Sequence, residues 1–430
     1  MASIAVRRGL SAVSRKGREF STVLVATEEF PGLPSTTPET AKASTASVTK
    51  LSSGLTVVSE DAASTSTVTM TFPKAGSGSE QLGEQGAALI NKCLAFNSGS
   101  GLSTIMILRS IENEGAIPFA SVERDFATVG YTVEPDNAEG LIPLLATDCT
   151  FEKWDVRDAK TLAAYQVAAA NKNAQEVLTE QIFAAAYGAQ SPMGRPLFDA
   201  SAGAYEIASF RTRGYGLDGA ILAATGIKDH ASFCSNVEEL LSEAPAGSSH
   251  GVPEPAYIGG EARIAAPIGY AHVALAFGTD ASIPLRNVLK HCFSIAGKEG
   301  GVSGFATSGL VGVYGGAVTE GAGSIDSAIT GALTSKLSAD VVNKAKTLAK
   351  AEALFGMDCG SKGLAATMTA SVMESGSFFS NATALAATYD AITEKDVNGA
   401  LAAALKTNPS VAAVGDIGVV PYQGTFASRF

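Results

Sequence analysis

Residues 159–163 read AKTLA, and the same five residues return at 345–349. The two copies lie 345 − 159 = 186 residues apart. At the same shift, Phe119-Ala120-Ser121 corresponds to Phe305-Ala306-Thr307. Further matches at this shift pair Gly115 with Gly301 and Val156 with Val342. Because several matches share one shift, which is far longer than the period of a solenoid repeat, the sequence predicts two homologous domains.

The order of predicted elements gives the fold class. LTVVSE and TSTVTMTF alternate apolar and polar residues, which predicts two strands joined by a turn at Asp61-Ala62-Ala63. A helix is predicted over about 84–95, and a second runs through TIMILRSIENEG to Gly115, a residue typical of a helix C-terminus. FASVERDFATVGYTV returns to strand, and long helices follow over about 153–187. This order predicts an α+β fold in which each domain is a largely antiparallel sheet with helices on one face.

Composition excludes several classes of protein. The chain has 430 residues, which favours more than one domain, and its 46% hydrophobic and 17% charged residues are typical of a globular protein. A net charge of -11 argues against general nucleic-acid binding. The five cysteines are scattered without a C-x-x-C pair, so neither a disulfide framework nor a cysteine zinc site is predicted. No stretch reaches the roughly 20 apolar residues of a membrane span, which predicts a soluble or peripheral protein.

The first 18 residues, MASIAVRRGLSAVSRKGR, contain five basic residues and no acidic one. Wound as a helix, they place four arginines on one arc and Val6, Leu10 and Val13 on another. This pattern is typical of a mitochondrial targeting segment, and the alternative is a merely basic tail. The following R-E-F-S predicts cleavage between Phe20 and Ser21.

Composition also predicts the boundaries along the chain. Stretches rich in Ser, Thr, Pro and Gly separate the patterned regions and are typical of leaders and linkers. The predicted parts are a presequence (1–20), a flexible leader (21–48), a first domain (49–242), a linker (243–263) and a second domain (264–430).

Several segments, taken together and in order, resemble the mitochondrial processing peptidase family, which includes the core proteins of the respiratory cytochrome bc1 complex. They are TKLSSGLTVVSE, AGSGSEQLGEQG, SIENEGAIPFASVERDFATVGYTV, FEKWDV, AAYGAQSPMGRPLFD and YIGGEAR followed by HVALAF. The resemblance covers nearly the whole chain after the presequence. It implies an inverted-zincin peptidase fold of two α+β halves that face each other across a cavity.

Active members of that family carry the zinc motif H-x-x-E-H on the first long helix, with two histidine ligands and a glutamate general base. Aligned through its glycine and final phenylalanine, GAALINKCLAF (86–96) puts Leu89, Lys92 and Cys93 at these three positions. A lysine ammonium about 4 Å from a divalent ion would be repelled by roughly 8 kcal/mol at an effective dielectric constant of about 20. The family's distal glutamate ligand would fall in YQVAAANKNA (165–174), which contains no carboxylate. No catalytic, cofactor-binding or metal-binding residue is therefore predicted, and no cofactor.

The remaining candidate residues have structural interpretations. Lys92 is expected to extend its ammonium into the cavity or to pair with a nearby acid. Cys93 is expected to be a small buried hydrophobe. His272 alternates with apolar neighbours and is expected to be a satisfied strand residue. His291 and Cys292 are adjacent in sequence, so they point to different faces of a helix and are not expected to bind a metal together.

Two non-catalytic roles follow from the resemblance. One is core protein 2, a structural subunit of respiratory complex III (ubiquinol-cytochrome c reductase). The other is the α subunit of the processing peptidase, which carries a long glycine-rich loop that handles presequences. Here the helix LRNVLKHCFSI runs through AGKEGG directly into VSGFATSGLVGVYGGAV, so most of that loop is missing. This favours core protein 2, although AGKEGG could be a shortened remnant of the loop.

The resemblance also implies partners and a location. A core protein 2 would pair with core protein 1 or a β-type processing subunit, in a dimeric complex with cytochrome b, cytochrome c1 and the Rieske subunit. It would lie on the matrix side of the mitochondrial inner membrane, peripheral to the bilayer. A free matrix scaffold without respiratory partners is a third alternative.

Overall fold

A computed structural model of the chain describes residues 45–99, 101–146, 150–247, 256–318, 322–334, 337–378, 382–418 and 420–430. The predicted presequence and its cleavage site at Phe20 and Ser21 lie outside these residues, as does nearly all of the predicted leader. The first strand begins at Ala46 and the first strand of the second half begins at Glu261. The boundaries drawn from composition stay predictions.

The first half contains six strands and six helices among the described residues. The strands are β1 (Ala46–Lys50), β2 (Thr56–Glu60), β3 (Ser66–Phe72), β4 (Ile117–Val122), β5 (Ala127–Val133) and β6 (Ile221–Ala224). The helices are α1 (Ala87–Cys93), α2 (Thr104–Asn113), α3 (Lys153–Ala170), α4 (Ala174–Tyr187), α5 (Ala204–Gly214) and α6 (His230–Leu240). The predicted strand over FASVERDFATVGYTV is a hairpin of two strands, because Glu123–Phe126 forms a turn between β4 and β5.

The second half repeats this plan. Its strands are β7 (Glu261–Ala265), β8 (Tyr270–Gly278), β9 (Val302–Thr307), β10 (Leu310–Val318) and β11 (Ser410–Gly415). Its helices are α7 (Ile283–Ala296), α8 (Ala322–Thr334), α9 (Ala339–Asp358), α10 (Ser361–Ser375), α11 (Ala382–Ala391), α12 (Glu394–Ala404) and α13 (Gln423–Ala427). Among the described residues, no helix is both long enough and apolar enough to cross a bilayer.

The two sheets have the same topology. The strand order is β1-β2-β6-β3-β5-β4 in the first sheet and β7-β11-β8-β10-β9 in the second. In both sheets one pair, β2 with β6 or β7 with β11, is parallel and every other pair is antiparallel. The second order therefore reproduces the first without its edge strand β1. The predicted α+β class and the two homologous domains are confirmed.

Equivalent glycines begin equivalent strands. Gly115 precedes β4 with φ of +65°, and Gly301 precedes β9 with φ of +67°. Residues other than glycine are strained at such angles, because the left-handed region crowds Cβ. The two glycines lie 186 residues apart, so the repeat seen in the sequence places a glycine at the same left-handed backbone position in both halves.

Each sheet has a hydrophobic core on one face. In the first half, Val68, Met70 and Phe72 of β3 are fully buried among side chains of α1, α2 and α5. In the second half, Val273 and Leu275, which are alternate residues of β8, are fully buried in a core with α7, α8 and α9. The alternation places the intervening residues of β8 on the opposite face, as the period of two in a strand requires.

The opposite face of each sheet is covered by a helix from the other half. Helix α4, from the first half, packs Leu178, Ile182 and Phe183 against Ala274 and Ala276 of β8. Reciprocally, α10 of the second half packs its buried residues against the first sheet. This contact joins Ala365, Met368 and Val372 to Val58, Ile221 and Ala223. Since α4 and α10 are equivalent in the repeat, the halves exchange one helix each.

Polar contacts reinforce this exchange. The turn between β9 and β10 meets the turn between β4 and β5, where the Ser308 hydroxyl donates a hydrogen bond to the Asp125 carboxylate. At the start of α10, Ser361 Oγ lies 2.7 Å from Thr67 Oγ1 of β3, and Lys362 Nζ lies 3.9 Å from the centre of the Phe119 ring. These contacts, between two turns and at the start of α10, join the halves in addition to the exchanged helices.

Truncation of a buried α10 side chain should destabilise the whole chain. We expect Met368→Ala to lower the free energy of unfolding by about 2–5 kcal/mol, because Met368 is fully buried against the first sheet. Met373→Ala is the matched control, since Met373 lies on the same helix with 37% of its surface exposed, and we expect it to cost less than about 1 kcal/mol. Denaturant unfolding measures both. Equal effects of the two substitutions would contradict the exchange.

Candidate functional site

Helix α1, which carries the three positions of the family's zinc motif, is fixed at its N-terminus by a buried carboxylate. Glu80 is 2% exposed and accepts hydrogen bonds from the backbone amides of Gly86 and Ala88 at 3.2 and 2.9 Å. These amides are among the donors that a helix leaves unsatisfied at its first turn. Burial raises the pKa of Glu80 to about 7, although the two amide hydrogen bonds act in the opposite direction.

A second carboxylate connects this segment to α5. Arg213 of α5 donates to both carboxylate oxygens of Glu84, at 2.9 and 2.5 Å, and to the backbone oxygen of Ser79 at 3.2 Å. Burial acts to raise the pKa of Glu84, but the hydrogen bonds from Arg213 and from the Gln81 amide outweigh burial and lower that pKa. Glu84 is therefore an ionised partner of Arg213.

The middle of α1 is attached to α5 as well. The side-chain amide of Asn91, which is fully buried, donates to the backbone oxygens of Ala87 at 2.9 Å and Ile207 at 3.1 Å. A Cβ at Gly86 would lie 2.4 Å from the Asp199 backbone oxygen, so only glycine allows the chain to enter α1 here. The backbone of α1 is thus held by contacts that do not involve the zinc-motif positions.

The three positions that the family resemblance aligns with the zinc motif do not carry the residues of a zinc site. Leu89 is 1% exposed and packs in the first core, so the first histidine position is now part of the hydrophobic interior. Lys92, at the position of the glutamate base, carries a positive charge. Cys93, at the second histidine position, is half-buried with a free thiol. Burial raises the pKa of the Cys93 thiol, and the Lys92 charge only partly opposes this, so the thiol is protonated near neutral pH.

A fourth residue, Gln166 of α3, completes the site and was missed in the sequence. Lys92 Nζ donates to Gln166 Oε1 at 2.8 Å, and Gln166 Nε2 donates to Cys93 Sγ at 3.5 Å. The hydrogen-bond partner of Lys92 is therefore a neutral amide, whereas an ammonium extended into the cavity or paired with an acid was expected from the sequence. The residue lies in YQVAAANKNA, where the family resemblance implies a carboxylate, and glutamine is the neutral isostere of glutamate.

These residues do not fit the zinc ion that the family resemblance implies. Leu89 offers no donor atom, the Lys92 ammonium is a cation, and the Gln166 oxygen already accepts the Lys92 hydrogen bond. Zinc sites in proteins need three or four nitrogen, sulfur or carboxylate ligands. Elsewhere in the described part of the chain, no cluster of three or more histidine, cysteine, aspartate or glutamate residues could hold a metal ion.

The histidines of the second half have other partners. His272 of β8 lies with Nδ1 2.7 Å from Tyr314 Oη, and its ring is close to that of Tyr270. His291 Nε2 lies 2.8 Å from a Glu352 oxygen on α9, whereas the neighbouring Cys292 is fully buried in the second core. His291 is therefore paired with one carboxylate, and among the described residues neither histidine belongs to a cluster of three or more possible metal ligands.

A cavity of about 320 Å³ lies between the halves. It is lined by residues of the β4–β5 turn, by α4 and by Thr307 and Ser308 of the second half. Its acidic lining residues are Glu123, Glu176 and Glu180, and its basic lining residue, Arg124, forms an ion pair with Glu180 at 2.7 Å. The cavity wall therefore carries net negative charge.

Comparison with known proteins confirms the family resemblance. Residues 56–201 match the insulinase family, peptidase family M16. Over 239 residues the chain is 29% identical to the α subunit of the mitochondrial processing peptidase of Solanum tuberosum. That match covers 54% of this chain and 47% of the potato protein, so it spans about half the length of the relative.

Similarity of fold extends further than similarity of sequence. A chain from the structure of complex III2 of Candida albicans, determined with Inz-5 bound, superposes with a TM-score of 0.75 at 19% sequence identity. The superposition covers 89% of this chain and 99% of the fungal chain. Both halves of the fold are therefore shared with that chain.

The buried Glu80 predicts a distinctive dependence of stability on pH. Its pKa is about 7 in the folded chain against 4.5 for a free glutamate, so only the unfolded chain releases the proton as the pH rises from 4.5 to 7. The free energy of unfolding should fall over this range, by up to about 3 kcal/mol from this residue, and level off above it. In Glu80→Gln, this part of the pH dependence should vanish. Parallel stability curves for the two proteins, with the exposed Glu112→Gln as control, would contradict this role of Glu80.

Proposed function

We propose that this chain, whose first half carries a peptidase family M16 domain, is a non-catalytic structural subunit of mitochondrial complex III, equivalent to core protein 2. It supports the assembly and stability of the complex on the matrix side of the inner membrane. The observation that carries the proposal is the state of the α1–α3 site, where Leu89, Lys92, Cys93 and Gln166 stand at or beside the positions of a zinc centre.

The chemistry of that site supports a non-catalytic role. A peptidase of this family needs a metal-bound water and a general base beside it. In this chain the base position holds Lys92, whose ammonium cannot accept a proton, and the ligand position holds a protonated thiol that already accepts a hydrogen bond. The architecture is retained while the reactive groups have been replaced.

The fold supports the structural role. Similarity to a complex III2 chain extends over 89% of this chain, which includes both halves and their exchanged helices. A subunit of this kind acts through the surface that it buries, and obligate contacts typically bury more than about 2,000 Å². The partners in this proposal are core protein 1 or a β-type processing subunit, and cytochrome b, cytochrome c1 and the Rieske subunit.

Native electrophoresis of solubilised mitochondrial membranes tests the proposal. We expect the chain to migrate with cytochrome b and cytochrome c1, and to leave that band when the partner core subunit is depleted. Its presence only in a soluble matrix heterodimer would contradict the proposal and favour the second candidate. Migration as a monomer in both fractions would contradict both candidates and indicate a free scaffold.

The second candidate is the non-catalytic α subunit of the processing peptidase, which helps to bind presequences. Two observations favour it: the sequence match to the potato α subunit, and the negative wall of the cavity between the halves. Presequences are rich in arginine, so an acidic cavity would attract them. The missing glycine-rich loop between α7 and β9 argues against this candidate, because only Gly297–Gly301 connects these elements.

Peptide cleavage by the purified chain tests the non-catalytic claim directly. We expect no cleavage of a presequence peptide, and no change on addition of zinc or of a chelator, because the ligand and base positions are Leu89, Cys93 and Lys92. The matched control is the same assay with a β-type processing subunit added. Cleavage by this chain alone that a chelator abolishes and zinc restores would refute the claim.

A further inference from the structure

The contact between α1 and α3 resembles a metal site in that polar atoms of two helices surround one positive charge, but here the charge and the polar atoms come from side chains. The positive charge of Lys92 lies between the two helices, and in a metal site a metal ion would provide that charge. One oxygen, on Gln166, lies 2.8 Å from that charge, and the same residue reaches the sulfur of Cys93 at 3.5 Å. Two helices are thus joined through a single cation and the polar atoms around it.

We propose that the Lys92 ammonium has taken the place of a metal ion, so that Lys92, Gln166 and Cys93 form a metal-free clasp between α1 and α3. The clasp both holds the helices together and excludes a divalent cation. This inference concerns the site alone. It holds whether the chain joins complex III or a soluble heterodimer, so its failure and the failure of the proposed function can be told apart.

The identity of residue 166 follows from the hydrogen bonds that the clasp requires. An ammonium needs an acceptor, and the Cys93 sulfur is met by a donor. A glutamine side chain provides one of each on a single amide group, whereas an ionised glutamate provides acceptors alone. In this chain the Gln166 oxygen lies 2.8 Å from Lys92 Nζ and the Gln166 nitrogen 3.5 Å from Cys93 Sγ. A neutral amide beside one ammonium leaves a net charge of +1, which repels a second cation.

The surroundings of the clasp are fixed independently of it. Glu80 holds the first turn of α1, Glu84 pairs with Arg213, and Asn91 holds the middle of the helix to α5. None of these contacts uses Lys92, Cys93 or Gln166. The backbone of α1 should therefore remain in place when the clasp residues are substituted, which makes the site open to direct tests.

The first test introduces the family's zinc ligands into two variants, one that keeps Lys92 and one that replaces it. Both full-length variants carry Leu89→His, Cys93→His and Gln166→Glu, and the second also carries Lys92→Met. Equilibrium dialysis with zinc, and the visible spectrum with cobalt(II), measure binding. We expect the second variant to bind one ion with a tetrahedral spectrum and at least about 100-fold more tightly than the variant that keeps Lys92. Equal affinity of the two would overturn the inference.

The second test uses no metal and stays decisive if histidine at the buried position 89 prevents folding. Lys92→Met, Gln166→Leu and the double variant are compared by their midpoints of thermal unfolding. Since either single substitution already removes the hydrogen bond between Lys92 and Gln166, we expect the loss in the double variant to be smaller than the sum of the two single losses. The matched control is the double variant of Lys92→Met and Met368→Ala. Met368 is not part of the clasp, so the two decreases in unfolding midpoint should add. Additive losses for Lys92 and Gln166 would overturn the clasp.

Discussion

The candidate site of the first half depends on the hydrogen bonds of one glutamine side chain. Gln166 accepts from Lys92 and donates to Cys93, and so joins the helix that carries the zinc-motif positions to the long helix behind it. Both ends of the amide are thus used by protein atoms, and the positive charge of Lys92 beside them disfavours a metal ion. A site in this state supports the non-catalytic role that we propose.

The two halves of the molecule are joined by the helices that they exchange. Each half contributes one helix to the uncovered sheet face of the other, so Met368 completes the first half and Phe183 completes the second. Neither sheet could bury both faces without its counterpart.

Much of the fold could be predicted from the sequence, since its signals are local or repeated. The alternation of apolar residues placed β2 and β3, Gly115 marked the end of α2, and the AKTLA repeat revealed the duplication. The exchange of α4 and α10 could not be predicted, because Leu178 and Met368 look like ordinary buried residues of their own half. These residues pack against the sheet of the other half because one face of that sheet is uncovered. A local sequence pattern contains no information about that face. The division of FASVERDFATVGYTV into two strands depended on the turn at Glu123–Phe126, which contains no glycine or proline.

The family resemblance, which aligns Leu89, Lys92 and Cys93 with the zinc motif, located part of the site. Gln166 lies 73 residues beyond Cys93, and its contact with this helix is recognised only when the two helices are brought together. The most direct test of the account is the metal content of the native chain, isolated from mitochondria in buffers without chelator and measured by elemental mass spectrometry. The account predicts no stoichiometric zinc. One zinc ion per chain, lost on substitution of Cys93, would contradict it.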